Sequence, residues 1–373
     1  MVDQVGLEEA CSERVNVALE LPEVARYLLA RATLSARALV DEGLVVRDVS
    51  SRHRNFRVEI PGGGGGVQLK QGNSPDTQLT VAREARVYQE LKTLDARFTD
   101  LIPKVHDYDA ERGILITELI SDAEDLRAQQ IRTGTFRADI GASIGEALAL
   151  LHGCAPPDVE AGVSCPLPPF LGIYQPTLEI FRNASVANLQ LIRIVQASTE
   201  LRAHLSRVKA NLRREALLHN DIRWDNFLIT EQGLKLVDWE AAAYGDPAWD
   251  LGSVLGQYLS SWVFSIPVTG SEAVANYAQL ARLPLAALKA ACNACWTAYF
   301  VTRQMASAPA AQFLLRAVSM AAVRLLQSAY ESSQFSVQLT SCEILHVQLA
   351  TNILARPAAA CSQLMGLPMR ETQ

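Results

Sequence analysis

Apolar and polar positions change their period several times along this chain. Residues 23–42 carry apolar residues at helical spacing with little Gly or Pro, which predicts one or two helices. From Leu44 the runs become short, β-branched or alternating: "LVVRDVS", "FRVEI" and "VQLKQG" predict three strands. "LTVAREARVYQELKTL" (79–94) returns to helical period, with Val81, Glu84, Tyr88 and Leu91 on one stripe. A carboxylate on an apolar stripe calls for a buried partner. After Pro103, "KVHDYDAERGILITELI" predicts two more strands joined by a turn at Glu111-Arg-Gly113. Residues 44–120 therefore form an antiparallel sheet with one inserted helix.

Beyond Ser121 the helical period dominates. "FRADIGASIGEALALLHG" is one helix, 156–170 a Pro-rich loop, and 174–215 helical. "FLIT-EQG-LKLVD" (227–238) is a short hairpin, and the remainder is helical with breaks at Pro267, Pro284, Pro309 and Pro357. The expected fold class is α+β. Its parts are a helical N-terminal extension (1–43), a sheet lobe (44–120) and a mostly helical lobe (121–373).

Composition narrows the function. With 373 residues, 49% of them hydrophobic, the chain can bury a substantial core. A net charge of −6 argues against a nucleic-acid partner. No uninterrupted apolar run approaches about 18 residues, so no membrane span is expected. The first thirty residues lack the basic-then-apolar order of a signal peptide, and seven scattered cysteines read as reduced core thiols, which together predict a cytoplasmic protein. Cys292-Asn-Ala-Cys295 has no second Cys/His pair near it and reads as two small core residues rather than a zinc site.

The segment richest in chemistry is His219-Asn-Asp221-Ile-Arg223-Trp-Asp-Asn226, followed by the hairpin and Val237-Asp238-Trp239-Glu240. Transfer of a phosphoryl group needs a carboxylate to orient the attacking hydroxyl and accept its proton, oxygen ligands for magnesium, and a cation near the transferred group. Asp221 suits the base. Asn226, five residues on, and Asp238, returned by the hairpin, suit the metal. His219 reads as a core histidine that holds the loop.

This layout resembles the aminoglycoside phosphotransferase and choline kinase branch of the protein-kinase-like superfamily, with H-N-D-I-R-W-D-N standing for H-G-D-x-x-x-x-N and Asp-Trp-Glu for Asp-Phe-Gly. The resemblance implies a bilobal protein-kinase-like fold that uses ATP and Mg²⁺. It implies that Arg223 serves the γ-phosphate or the acceptor, that Lys70 is the nucleotide-phosphate lysine with Glu84 its ion-pair partner, and that Glu118-Leu-Ile120 is the hinge to adenine. It also implies that Asp250, in "GDPAWDL", braces the catalytic loop. The phosphate-covering turn would be Ser50–Asn55, which lacks glycine and offers Arg52 and Arg54, with Arg54 and Asn55 as candidate nucleotide contacts. Asn220 in place of glycine is the departure from the pattern.

Two looser stretches, 49–60 and 347–368, resemble phosphotransferase-like proteins from clusters for modified peptides such as class V lanthipeptides or thioviridamide-like compounds. That resemblance implies a Ser or Thr of a ribosomally made precursor peptide as acceptor, with a partner lyase eliminating the phosphate. The alternatives are a small-molecule kinase for an aminoglycoside, macrolide, choline or sugar hydroxyl, and an ATP-binding scaffold without turnover.

"PGGGGGVQLK" (61–70) looks at first like a phosphate loop, yet its lysine sits inside a strand and no Ser or Thr follows it. It reads as the turn between the second and third strands. Replacing the glycine run with Asn-Gly is therefore expected to leave ATP affinity, measured by calorimetric titration, nearly unchanged.

Overall fold

The computed structural model describes residues 18–35, 37, 43–61, 65–154, 168–267 and 277–368. The five expected strands are present as β1 (Val45–Asp48), β2 (Arg54–Glu59), β3 (Gly66–Gln71), β4 (Val105–Asp109) and β5 (Ile114–Glu118). All pair antiparallel in the order β1-β2-β3-β5-β4. The inserted helix spans Pro75–Leu94, one turn earlier than the apolar stripe alone indicates. Its start is local chemistry: the Ser74 hydroxyl accepts from Thr77 N, Ser74 N donates to Thr77 Oγ1, and a proline follows the cap.

Strand period decides what each face of the sheet carries. Phe56, Val58, Val67, Leu69, Ile114 and Ile116 are buried together with Leu19, Val24, Tyr27 and Leu28. The helix Val24–Ala30 thus closes this face, and Tyr27 donates to Asp109 at 2.9 Å. Lys70, next to Leu69 of that core, is turned to the other face, where Asn55 is its cross-strand partner. The glycine-rich turn joins β2 to β3 as expected. Ile60 N donates to Gly65 O, and Gly65 takes a left-handed φ of 79°. Residues 62–64 of the run lie outside the described residues.

The chain forms two compact units: Met1–Ala123 with Lys235–Ala241, and Glu124–Leu234 with Ala242–Gln373. The short return segment 235–241 is the telling part, because it brings residues from far along the sequence into the sheet unit.

The second unit is mainly helical. Three short strands there were not expected from the sequence: Glu124–Asp125 pairs with the hairpin strand Phe227–Thr230, and Ala216–Leu218 pairs with Ala243–Gly245. Strands of two or three residues give too little alternation to be recognised. The region 174–215 is not one helix but Leu178–Asn183, Val186–Ala197 and Thr199–Ala210, divided by the N-caps Ser185 and Ser198. The expected break at Pro309 is absent. Pro309 lies in the first turn of Ser307–Ser332, where the missing N–H removes no helical hydrogen bond. That helix is long and apolar enough to cross a membrane by composition, but 67% of its apolar window is buried inside the protein.

Glycines let helices approach closely. A Cβ on Gly141 would stand 2.5 Å from Ala291 O, and one on Gly145 would stand 2.1 Å from Cys295 O. These contacts join Ala138–Gly153 to Leu285–Thr302. Cys292 and Cys295 are free, fully buried thiols in this packing, and burial pushes Cys295 up to about 12. Gly145→Ala is expected to cost about 1–3 kcal/mol through forced separation of the pair, read as a lowered urea midpoint.

Candidate active site

In the sheet unit, three carboxylates surround one ammonium. Lys70 Nζ lies 2.8 Å from Glu84 Oε2, 2.5 Å from Asp238 Oδ1 and 2.6 Å from Glu240 Oε2. Each partner arrives by a different route. Lys70 is on β3, Glu84 lies two turns into the helix Pro75–Leu94, and Asp238 and Glu240 come with the return segment. The carboxylate predicted from the apolar stripe has its partner: Glu84 is buried, and it also accepts from Trp239 N at 3.3 Å.

Burial by itself would lower the Lys70 ammonium's affinity for its proton. Attraction to Glu84, Asp238 and Glu240 overrides burial and carries it above the ordinary lysine value. Burial raises Glu84, opposed by Lys70. The three carboxylate groups have oxygens within 4.8 Å of one another. At an effective dielectric near 20, each such pair repels by roughly 3–4 kcal/mol, while each Lys70 contact attracts by about 6 kcal/mol. Lys70 therefore holds together a group that would otherwise take up protons or a cation.

Glu240 is the member that the sequence reading left out, although Asp-x-Glu just after a hairpin is a signal of paired carboxylates. The β1–β2 turn reaches the same group: Arg52 Nη1 lies 3.7 Å from Glu240 Oε1, and His53 Nε2 lies 3.5 Å from Glu240 Oε2 and 2.8 Å from Thr80 Oγ1. Burial lowers the His53 pKa.

Other expected nucleotide contacts are placed differently. Arg54 is turned away, donating to Leu19 O at 2.6 Å and pairing with Glu20 at 3.1 Å. Of the two arginines expected to bring charge to this turn, Arg52 is the one that faces the carboxylate group. Asn55 lies beside Lys70 across the strands, and its Oδ1 is buried with no hydrogen-bond partner among the described residues. The Glu118 carboxylate accepts from Lys104 N at 3.0 Å, and Ile120 lies half-buried two residues beyond β5.

The second unit holds the loop His219–Asn226, which runs from the strand Ala216–Leu218 to the hairpin strand Phe227–Thr230. Asn226 Nδ2 donates to Asp221 O at 2.9 Å and to Asp221 Oδ2 at 3.2 Å, which fixes the carboxylate and turns the amide oxygen of Asn226 elsewhere. Asp250, fully buried, accepts from His219 N at 2.7 Å and Asn220 N at 3.0 Å, with His152 Nε2 at 3.4 Å. His219 is itself fully buried, and its Nδ1 accepts from Asp221 N at 3.3 Å. Arg223 donates to Asp225 at 3.0 Å, and Arg127 grips the same carboxylate at 2.7 Å. Asn220 has φ 65°, the left-handed region that glycine occupies most easily and that Asn tolerates better than most residues. The departure from glycine is thereby explained.

Hard oxygen donors suited to magnesium thus exist in both units: Asp238 and Glu240 in the first, Asn226 Oδ1 in the second.

The sheet with its inserted helix, and the helical unit with its catalytic-type loop, define a protein-kinase-like α+β fold. Two solved structures share it. The choline/ethanolamine kinase family protein from Mesorhizobium loti superposes with a TM-score of 0.51 at 18% identity, covering 91% of this chain and 96% of that one. Plasmodium vivax ethanolamine kinase gives 0.54 at 14% identity, covering 92% and 91%. The chain belongs to the phosphotransferase enzyme family (APH), whose profile matches residues 45–289. Among curated relatives, methylthioribose kinase of Enterobacter sp. (strain 638) is 27% identical over 172 residues, 42% of this chain and 43% of its own length. Methylthioribose kinase of Pectobacterium atrosepticum is 28% identical over 201 residues, 49% and 50%. The chain spans about half the length of the curated relatives it matches.

Lys70→Met should leave the three carboxylates unbalanced. Glu84, raised by burial and held down by Lys70, then rises further, so the folded state binds its proton more readily and stability grows as pH falls. The variant's urea midpoint should drop at pH 7 and recover toward pH 5 more steeply than that of the parent protein. At position 220, Asn220→Gly should be nearly neutral, whereas Asn220→Val should cost about 1–2 kcal/mol in the same measurement.

Proposed function

We propose that this protein is an ATP-dependent phosphotransferase acting on a hydroxyl group of a small molecule. The observation that carries the reading is the shell of Glu84, Asp238 and Glu240 around Lys70, built by a return segment that brings two acidic residues onto a half-buried strand lysine. In this reading Asp221 accepts the proton of the attacking hydroxyl. Asn226 keeps the Asp221 carboxylate oriented through its amide nitrogen while its oxygen serves as a metal ligand. Lys70, held by Glu84, contributes positive charge to the nucleotide phosphates, and Asp238 and Glu240 hold magnesium. Magnesium bound there would supply neutralisation of developing phosphate charge. Arg223, tied to Asp225, offers a positioned cation on the acceptor side.

Support for a small acceptor comes from the relatives, whose names are methylthioribose kinases and choline/ethanolamine or ethanolamine kinases. We infer a sugar or amino-alcohol hydroxyl, with methylthioribose the first candidate because its kinases are the relatives matched by sequence. This replaces the Ser or Thr of a precursor peptide, and the partner lyase, as the preferred reading.

The test is coupled ADP release with methylthioribose, ethanolamine, choline, an aminoglycoside and a Ser/Thr peptide. Turnover is expected with one of the first three. Turnover with the peptide alone, or nucleotide binding without turnover on any acceptor, would sink the reading. Asp221→Asn and Asp238→Ala should each lower kcat by roughly a thousandfold or more, because base and metal act as a unit. Glu240→Gln should raise the magnesium concentration needed for half-maximal rate.

A further inference from the structure

A cavity lies within the helical unit. It has a volume of about 240 Å³ and opens among the helices Thr199–Ala210, Ser307–Ser332 and Ser341–Ala355. None of Asp221, Arg223 or Asn226 lines it. Its wall has two chemistries. Leu315, Met320, Leu354 and Pro357 are apolar, while His204, Arg207 and Arg316 are basic, and no Asp or Glu among the described residues lines it.

The basic groups are unequally answered. Arg316 is held by Asp246 at 3.0 Å and Glu215 at 3.7 Å. Arg207 has an imidazole for a neighbour instead: its Nη1 lies 3.3 Å from His204 Nδ1. Glu200, an exposed residue, reaches only the outer nitrogen of His204, at 3.6 Å. Two guanidinium groups and an imidazole therefore face a space whose lining contributes no negative charge. Guanidinium groups bind carboxylate and phosphate oxygens through paired donors. The volume equals that of roughly eight water molecules, enough for about ten non-hydrogen atoms.

We propose that this cavity is a binding site, separate from the catalytic loop, for a small amphipathic anion: a carboxylate or phosphate monoester at Arg207 and His204, with an apolar tail against Leu315, Met320 and Leu354.

The full chain, saturated with ADP to occupy the nucleotide site, is titrated by calorimetry with hexanoate, hexyl phosphate, inorganic phosphate and hexylamine. Hexanoate, hexyl phosphate or both should bind saturably at one site, and the better of the two identifies the head group. Hexylamine should not bind, and inorganic phosphate should bind at least tenfold more weakly than hexyl phosphate. Arg207→Ala, an exposed position, should weaken binding by about tenfold or more. Ser319→Phe fills the cavity without changing charge and should abolish binding. Equal binding of hexylamine, inorganic phosphate as tight as hexyl phosphate, no binding of either anion, or unchanged affinity in Arg207→Ala would each overturn the proposal. Arg207→Ala decides the matter alone if Ser319→Phe fails to fold.

Discussion

Lys70 is the constraint on which the sheet unit depends. A single half-buried ammonium stands against three carboxylates. Such an arrangement is expensive unless the partners are fixed. Fixing them explains features that otherwise look unrelated: the Ser74 cap that starts the helix bearing Glu84, the return segment 235–241, and Trp239, whose backbone N–H donates to Glu84 and whose ring N–H donates to Leu236 O. Trp239 is buried, so the residue standing where kinases have phenylalanine packs rather than stacks on a ligand.

The helical unit solves a different problem, how to hold an irregular loop in one conformation. Buried backbone N–H groups need acceptors. Asp250 supplies both of its oxygens to the amides of His219 and Asn220, and its place near the start of the helix Pro247–Phe264 is secured by Asp246, which caps that helix by accepting from Ala248 N. Asp246 also accepts from Arg213 N and is gripped by Arg316. Arg316 is therefore common to the brace of the loop and to the wall of the basic cavity.

Glycine has two distinct uses here. Gly141 and Gly145, like Gly252 and Gly256, sit where a side chain would collide with a neighbouring helix. Gly65, by contrast, serves the turn between β2 and β3, where its φ of 79° is left-handed. Where the loop 219–226 and the return segment take left-handed backbone, the chain uses Asn220 and Asp238 instead of glycine.

The sequence by itself determined the five strands, the helix carrying Glu84, the catalytic-type loop and the residues Lys70, Glu84, Asp221, Asn226 and Asp238 as candidates. Period, turn residues and motif spacing are local properties, so they are legible without coordinates. That Glu84 needs a partner was legible in the apolar stripe, and the family resemblance implied that the partner is Lys70. Tertiary structure alone decided that Glu240 joins them, that Arg54 turns to Leu19 and Glu20 while Arg52 and His53 face Glu240, and that His204, Arg207 and Arg316 meet around a cavity. Each of these depends on which segments the chain brings together from afar, and distance along a sequence carries no record of distance in space.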